Sequence, residues 1–260
     1  MPPPYMDDAN INYNLSGKLA ILSVRSRITS RIGFAFLGNI WYAMFLHGRC
    51  FMEQTGRDLY ILFSATPYRM GKLIRFVTRE PYNHVSMALE RDLRTLYAFA
   101  RRYYNTPLYG GFVTEEPCRY RHNGVTARIL LCRIPVTEDQ WEHLQNRFSH
   151  MSSQAERYLY NHLSALMAPL HRKVRVRDAY TCAEFTVSVL QELGLDFSSN
   201  QFYSIGDIAN KLAPYQIYTG DFPTASEEAG PFFDHQPLPR TCYLSIRDIL
   251  ALVWRKAAVF

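Results

Sequence analysis

The residues with the most chemical promise are one cysteine and one histidine. Cys182 stands in the run Tyr180-Thr181-Cys182-Ala183-Glu184-Phe185. Thr181 with Glu184 three residues later is a capping box, the reciprocal side-chain and backbone pairing that starts a helix. Phe185, Val189, Leu190 and Leu193 follow at helical spacing, and Gly194 supplies the stop. Cys182 is thereby predicted at the first helical position, where unpaired amides and the positive end of the macrodipole favour a thiolate. A thiolate nucleophile needs a partner, most often histidine, within hydrogen-bond reach. Among eight histidines only His84 opens a predicted strand, in Asn83-His84-Val85-Ser86-Met87-Ala88-Leu89. On that strand His84, Ser86 and Ala88 share one face, and Val85, Met87 and Leu89 share the other, apolar one. The small residues beside His84 leave room for the Cys182 helix to pack on that face. Together the pair could attack the carbonyl of an amide or an ester.

These two residues need a scaffold, and the rest of the chain predicts one. Leu59 to Phe63 reads as a buried strand, Met70 to Thr78 as a short helix, and His84 to Leu89 and Leu96 to Ala100 as strands. Val125 to Ile134 is a further strand. Thr137 and Gln140 form a second capping box, which opens a helix to about Met151. Tyr158 to Leu170 reads as helical, and Ser204 with Asp207 starts a short helix. Residues 219 to 240 hold four prolines and no periodicity, so they read as a loop, after which Ser245 opens a final helix. This order predicts an α+β domain with a small antiparallel sheet packed against helices. The domain spans residues 57–218, between an extension over 1–56 and a Pro-rich loop and helix over 219–260.

Composition narrows the function classes. Hydrophobic content of 48% and charged content of 20% are those of a soluble globular chain. A net charge of +6 leans weakly towards acidic partners. The five cysteines (Cys50, Cys118, Cys132, Cys182 and Cys242) are odd in number and lack C-x-x-C spacing. They make neither a disulfide framework nor a zinc pattern, and no metal or cofactor is expected. Met1 to Asn14 lacks a charged-then-apolar leader, which favours a cytoplasmic location. Residues 32–51 are mostly apolar, with Arg25, Arg27 and Arg31 upstream, but Asn39, His47 and Arg49 interrupt them. They read as a buried or surface-packed helix, with an interfacial helix in peripheral membrane contact as the alternative.

The strand Asn83-His84-Val85-Ser86, followed about a hundred residues later by a helix opening at Tyr-Thr-Cys-Ala-Glu-Phe, resembles the permuted NlpC-type papain-like thiol hydrolases, the branch that includes YiiX-like and related uncharacterised bacterial proteins. Asp58 to Phe63 and the stretch Tyr97 to Glu116, with Gly110-Gly111-Phe112-Val113, are similar too, so the likeness covers roughly residues 57 to 213. The resemblance implies a circularly permuted papain-like fold with the nucleophile at a helix N-terminus. It also implies a cysteine-dependent hydrolase or acyltransferase acting on an amide, peptide or ester bond, with Cys182 as nucleophile and His84 as base.

The third residue is a departure. The family places a polar side chain on the strand after the histidine strand, and that slot falls near Phe99 in Leu96-Tyr97-Ala98-Phe99-Ala100. Three readings stay open: an orienting residue from elsewhere, with Glu115 first and Glu90 second; a dyad; or an inactive site that binds lipid or peptide. Tyr180, two residues before the nucleophile, is a candidate oxyanion donor alongside the Cys182 amide. The run His171-Arg172-Lys173-Val174-Arg175-Val176-Arg177 carries five basic side chains in seven residues. It reads as a solvated edge or, through Arg175 and Arg177, as a binder of an acidic substrate or phospholipid headgroup; a basic nucleic-acid or anionic-membrane binder acting through residues 171–177 is the further alternative function. Arg101-Arg102-Tyr103-Tyr104 mixes charge and rings in the manner of single-strand binders, but no nucleic-acid motif accompanies it and no nucleic acid is expected as a partner.

Overall fold

The computed structural model describes residues 56–257 apart from 199, 224, 227 and 228. The apolar segment at residues 32–51 and the Met1 to Asn14 stretch lie outside the described residues. Among the described residues ten strands form in chain order: β1 Arg57–Ala65, β2 His84–Ala88, β3 Leu96–Arg101, β4 Gly110–Glu115, β5 Arg121–His122, β6 Val125–Thr126, β7 Arg128–Val136, β8 Leu159–Tyr160, β9 Ala179–Tyr180 and β10 Gln216–Asp221. Six α-helices accompany them: α1 Arg69–Thr78, α2 Glu138–Ser153, α3 His162–Met167, α4 Cys182–Glu192, α5 Ile205–Lys211 and α6 Leu238–Ala257. The class is α+β. Its sheet is larger than expected, with eight strands in the order β10-β7-β1-β2-β3-β4-β8-β9. All pairs in it are antiparallel except β8 with β9, and β5 with β6 forms a separate hairpin.

Two apolar layers lie on the two faces of this sheet. One holds Leu59, Ile61, Phe63, Val85 and Met87 together with Phe148 of α2 and Phe185 and Val189 of α4. The other holds Tyr60, Leu62, Ala88, Leu96, Tyr120 and Ile129. The alternation within β1 and β2 predicts this split, since neighbouring residues point to opposite faces. It also corrects one expectation. Helix α4 packs on the Val85 and Met87 face rather than on the Ser86 and Ala88 face, because its own apolar stripe follows the larger hydrophobic area. Cys182 still meets His84 because His84 is the first residue of β2, beyond the point, Met87↔Tyr97, where β2 and β3 are in register.

Four further boundaries differ from the sequence reading. Val125 to Ile134 is not one strand: β6 pairs with β5, and β7 starts separately at Arg128. Tyr158 to Leu170 is not one helix: Leu159 and Tyr160 pair with Ala179 and Tyr180. Asn161 then caps α3, its side-chain oxygen accepting from Ser164 N at 3.1 Å. Residues 128 and 221 close the β7–β10 pairing, so strand β10 carries straight across positions 218 and 219. Helix α6 starts at Leu238, not Ser245, and its Leu252 packs with Leu159, Val176 and Ala179. Each difference has the same physical origin. A strand pair or a packing partner distant in sequence overrides the local signal.

Candidate active site

Helix α4 begins at Cys182 because Thr181 caps it. Thr181 Oγ1 accepts from Glu184 N at 3.1 Å, and Glu184 Oε2 accepts from Thr181 N at 2.8 Å. Glu184 is held in turn, since Ser164 Oγ donates to its Oε1 at 2.5 Å and Asn161 Nδ2 to its Oε2 at 3.3 Å. The turn that presents the thiol is therefore tied to the start of α3. This fixes the direction of the helix amides around Cys182.

On the sheet side, His84 and Glu115 are both buried. His84 Nε2 lies 2.9 Å from Glu115 Oε2, and Tyr120 Oη donates to that same oxygen at 2.7 Å. Arg119 Nη2 stands 3.4 Å from Glu115 Oε1, and Tyr120 Oη is 2.8 Å from Ser86 Oγ. The carboxylate is thus approached by an imidazole, a phenol and a guanidinium at once. On its other side His84 hydrogen-bonds Cys182. With Nε2 committed to the carboxylate, Nδ1 is the nitrogen left to face the sulfur.

Burial alone would push the His84 imidazolium towards deprotonation. The charge of Glu115 and the hydrogen bonds to Cys182 and Glu115 outweigh it, and the His84 pKa is raised to about 10. Burial would likewise raise Glu115. The charges of His84 and Arg119, with the hydrogen bonds from His84 and Tyr120, instead lower it to about 2. The pair is an ion pair over the whole neutral range, so Glu115 stabilises a cationic His84.

A cleft of about 280 Å³ opens over these groups and is lined by Cys182, His84 and Glu115 along with Phe99, Tyr160 and Phe232. Tyr160 hydrogen-bonds Cys182, and burial, with the charges of Cys182 and Glu184, raises its pKa well above the usual tyrosine value. Its phenol is therefore a neutral donor beside the sulfur. The cationic lining comes from Arg101 and Arg119, with Arg119 stacked 3.9 Å from the Phe232 ring centroid. Among the described residues no cluster of histidine, cysteine and acidic side chains has the form of a metal site.

The structure brings Cys182, His84 and Glu115 together. Phe99 packs against Phe112, Tyr180 and Phe185, and Glu115 from the adjacent strand reaches the ring that a polar residue there would have met. Glu90 sits exposed in the turn after β2. Tyr180 is corrected: its ring packs between Phe99 and Phe185, and it does not line the cleft. Its strand partner Tyr160 is the tyrosine at the sulfur. Arg175 and Arg177 also stay away from the cleft; Arg175 bonds Asn200, and Arg177 pairs with Asp178 at 3.8 Å. Val174 and Val176 of that segment pack inward while Arg175 and Arg177 between and after them are exposed, so their charge stays in solvent. Tyr160, Tyr120 and Arg119 were missed in the sequence. Asn161, a capping residue directly after Tyr160, was the one local signal that a helix starts there and that Tyr160 precedes it.

Comparison of the chain with protein-family models, with curated proteins and with solved structures finds no match to any of them.

Proposed function

We propose that the protein is a cysteine-dependent hydrolase or acyltransferase acting on an amide or ester bond, with the permuted papain-like arrangement that the sequence resembles. The observation that carries this reading is the buried series Cys182, His84, Glu115 and Tyr120 beneath a cleft. Four groups from a helix start, two strands and a short 3-10 turn converge there, and hydrogen bonds link them in one line. A structural cysteine needs none of that.

The steps follow from the geometry. With the proton already held on His84, the Cys182 sulfur attacks the substrate carbonyl carbon, forming a C–S bond while the carbonyl π pair moves to oxygen. The Cys182 backbone N–H, at the helix N-terminus, and the Tyr160 hydroxyl are the donors placed to receive that oxyanion. The imidazolium, held by Glu115, then protonates the leaving amine or alcohol as its bond to carbon breaks. Water, or an acceptor alcohol or amine, loses its proton to His84 and attacks the thioester, and the thiol is regenerated. The reading in which the domain is inactive drew its motive from Phe99. A carboxylate 2.9 Å from the histidine removes that motive.

Alkylation tests the nucleophile directly. At pH 6, iodoacetamide is expected to modify Cys182 well before Cys118 and Cys132. Burial raises the thiol pKa of Cys118, and it raises that of Cys132 to about 12. Turnover of a small aryl ester or thioester is expected to vanish with Cys182→Ala. Equal labelling of the three cysteines, or turnover that survives the substitution, would overturn the proposal.

A further inference from the structure

Helix α1 is built inside out. At about 100° per residue, Phe76, Leu73, Val77 and Met70 share one arc, and Gly71 and Arg75 lie opposite. A water-soluble domain would turn the apolar arc inward. Here the reverse holds: Phe76 is 81% exposed, Leu73 55%, Val77 53% and Met70 38%. It is Gly71 that faces the protein, so tightly that a Cβ there would collide with the Thr66 hydroxyl and come within 2.9 Å of Asn83 Nδ2. The inward arc is completed by Arg75, whose Nη1 donates to Thr66 O at 3.0 Å. The orientation is therefore enforced by packing and cannot be reversed by rolling the helix.

The exposed arc is continuous with the mouth of the cleft. Met70 and Ile74 of α1 line the cleft, and so does Leu108, itself exposed. Leu166 of α3 and Leu170, three residues past its end, are exposed as well. Exposed apolar side chains thus line the opening at Met70 and Leu108. The exposed charges around the α1 arc have one sign, with Lys72 along one edge, Arg69 within the arc and Arg79 just past the helix end. Arg69, Lys72 and Arg79 are exposed, and no acidic residue occurs from 69 to 79. An apolar arc flanked by long cationic side chains suits the boundary between acyl chains and anionic headgroups.

We infer that α1 docks on an anionic lipid surface and seats the mouth of the Cys182 cleft against the bilayer. The acyl donor is then an ester or amide that carries a hydrocarbon chain and enters from the membrane. The docking stands on α1 itself, and only this substrate class rests on the Cys182 hydrolase reading. The cationic Arg101 and Arg119 within the cleft suit a donor with an anionic group near its scissile bond.

Vesicle sedimentation of the full chain tests the docking, with pure phosphatidylcholine against phosphatidylcholine containing one third phosphatidylserine. Wild type is expected to bind the anionic vesicles at least tenfold more tightly, and raised salt is expected to weaken that binding. Two variants divide the contributions. Leu73→Ser with Phe76→Ser is expected to lower anionic-vesicle binding at least tenfold, and Lys72→Gln with Arg79→Gln several-fold. None of these four residues lines the cleft, so cleavage of a water-soluble ester by either variant is expected to stay at the wild-type rate. Equal binding to both vesicle types, no vesicle binding, or unchanged binding in both variants would overturn the docking, the last two outcomes leaving α1 as a surface for a protein partner. Cys182→Ala separates the two proposals. If it keeps vesicle binding while Cys182 proves inert, the hydrolase reading alone has failed. If the ester is cleaved through Cys182 but the α1 variants bind like wild type, the docking alone has failed.

Discussion

Glu115 and Asp248 are equally hidden, each 2% exposed, yet their surroundings drive them in opposite directions. Glu115 meets His84, Tyr120 and Arg119, and its pKa is lowered to about 2. Asp248, on α6, is raised above the usual carboxylate value, because burial outweighs the hydrogen bonds and charge of Arg247. Its Oδ1 takes both of those bonds, at 3.0 and 2.9 Å, while Oδ2 has no hydrogen-bond partner. Burial of an acid is therefore not what marks a site. What separates the two is whether each oxygen has donors and whether a titratable partner gains a proton from the arrangement.

The contrast can be tested from its strongest arm downwards. Glu115→Gln leaves His84 and Arg119 buried without their counter-charge and is expected to destabilise the protein by about 3–5 kcal/mol in urea unfolding. Turnover is expected to fall with it; a variant as stable as wild type would mean that the carboxylate is not ionised in the folded protein.

The pH dependence of stability gives a second arm, with signs set by the two shifts. The raised His84 pKa contributes stability that is complete below pH 6.5 and is lost as pH rises through about 10. The lowered Glu115 pKa contributes stability that is present above about 4.5 and is lost as pH falls through about 2. Urea midpoints are expected to decline from pH 6.5 to 10 in wild type, and Glu115→Gln is expected to flatten that decline. Parallel curves would sink the pairing.

Smaller effects complete the series. Tyr120→Phe removes one donor from Glu115 and the partner of Ser86, for a cost of about 1–3 kcal/mol and a shift of the acid limit to higher pH. Asp248→Asn removes a charge that burial disfavours and keeps an acceptor for Arg247. Its stability at pH 7 is expected to lie within about 1 kcal/mol of wild type or above it, with turnover of a soluble ester unchanged. A loss as large as that of Glu115→Gln would erase the distinction between the two acids.

Much of the site was legible because its signals are local. Thr181 and Glu184 announce a helix start within four residues, and His84 with its alternating neighbours announces a strand. Glu115 was reachable as the polar residue that ends the Gly-Gly-Phe-Val strand. The choice between Tyr160 and Tyr180 was not legible. The two are register partners in a two-residue parallel pair, and nothing in either segment says which ring turns to the sulfur and which to Phe99 and Phe185. The face on which α4 packs was equally hidden, because it depends on the summed apolar area of β1, β2 and α2. Helix α1 was found as a helix, but its reversed orientation rests on the contacts of Gly71 with Thr66 and Asn83, which come from other segments.

The chain order of the cleft has a consequence for how the protein is made. Strands β1 to β4, with His84, Glu115 and Tyr120, leave the ribosome first, and the cysteine at position 182 follows only after α2 and α3. Domains emerge N-terminus first during synthesis. His84, Glu115 and Tyr120 are all synthesised before the thiol beside which they end up. The growing polypeptide therefore holds the histidine and its carboxylate before the sulfur, and Cys182 is added only after Asn161 and Ser164, which hold Glu184 of its first helical turn, have been made.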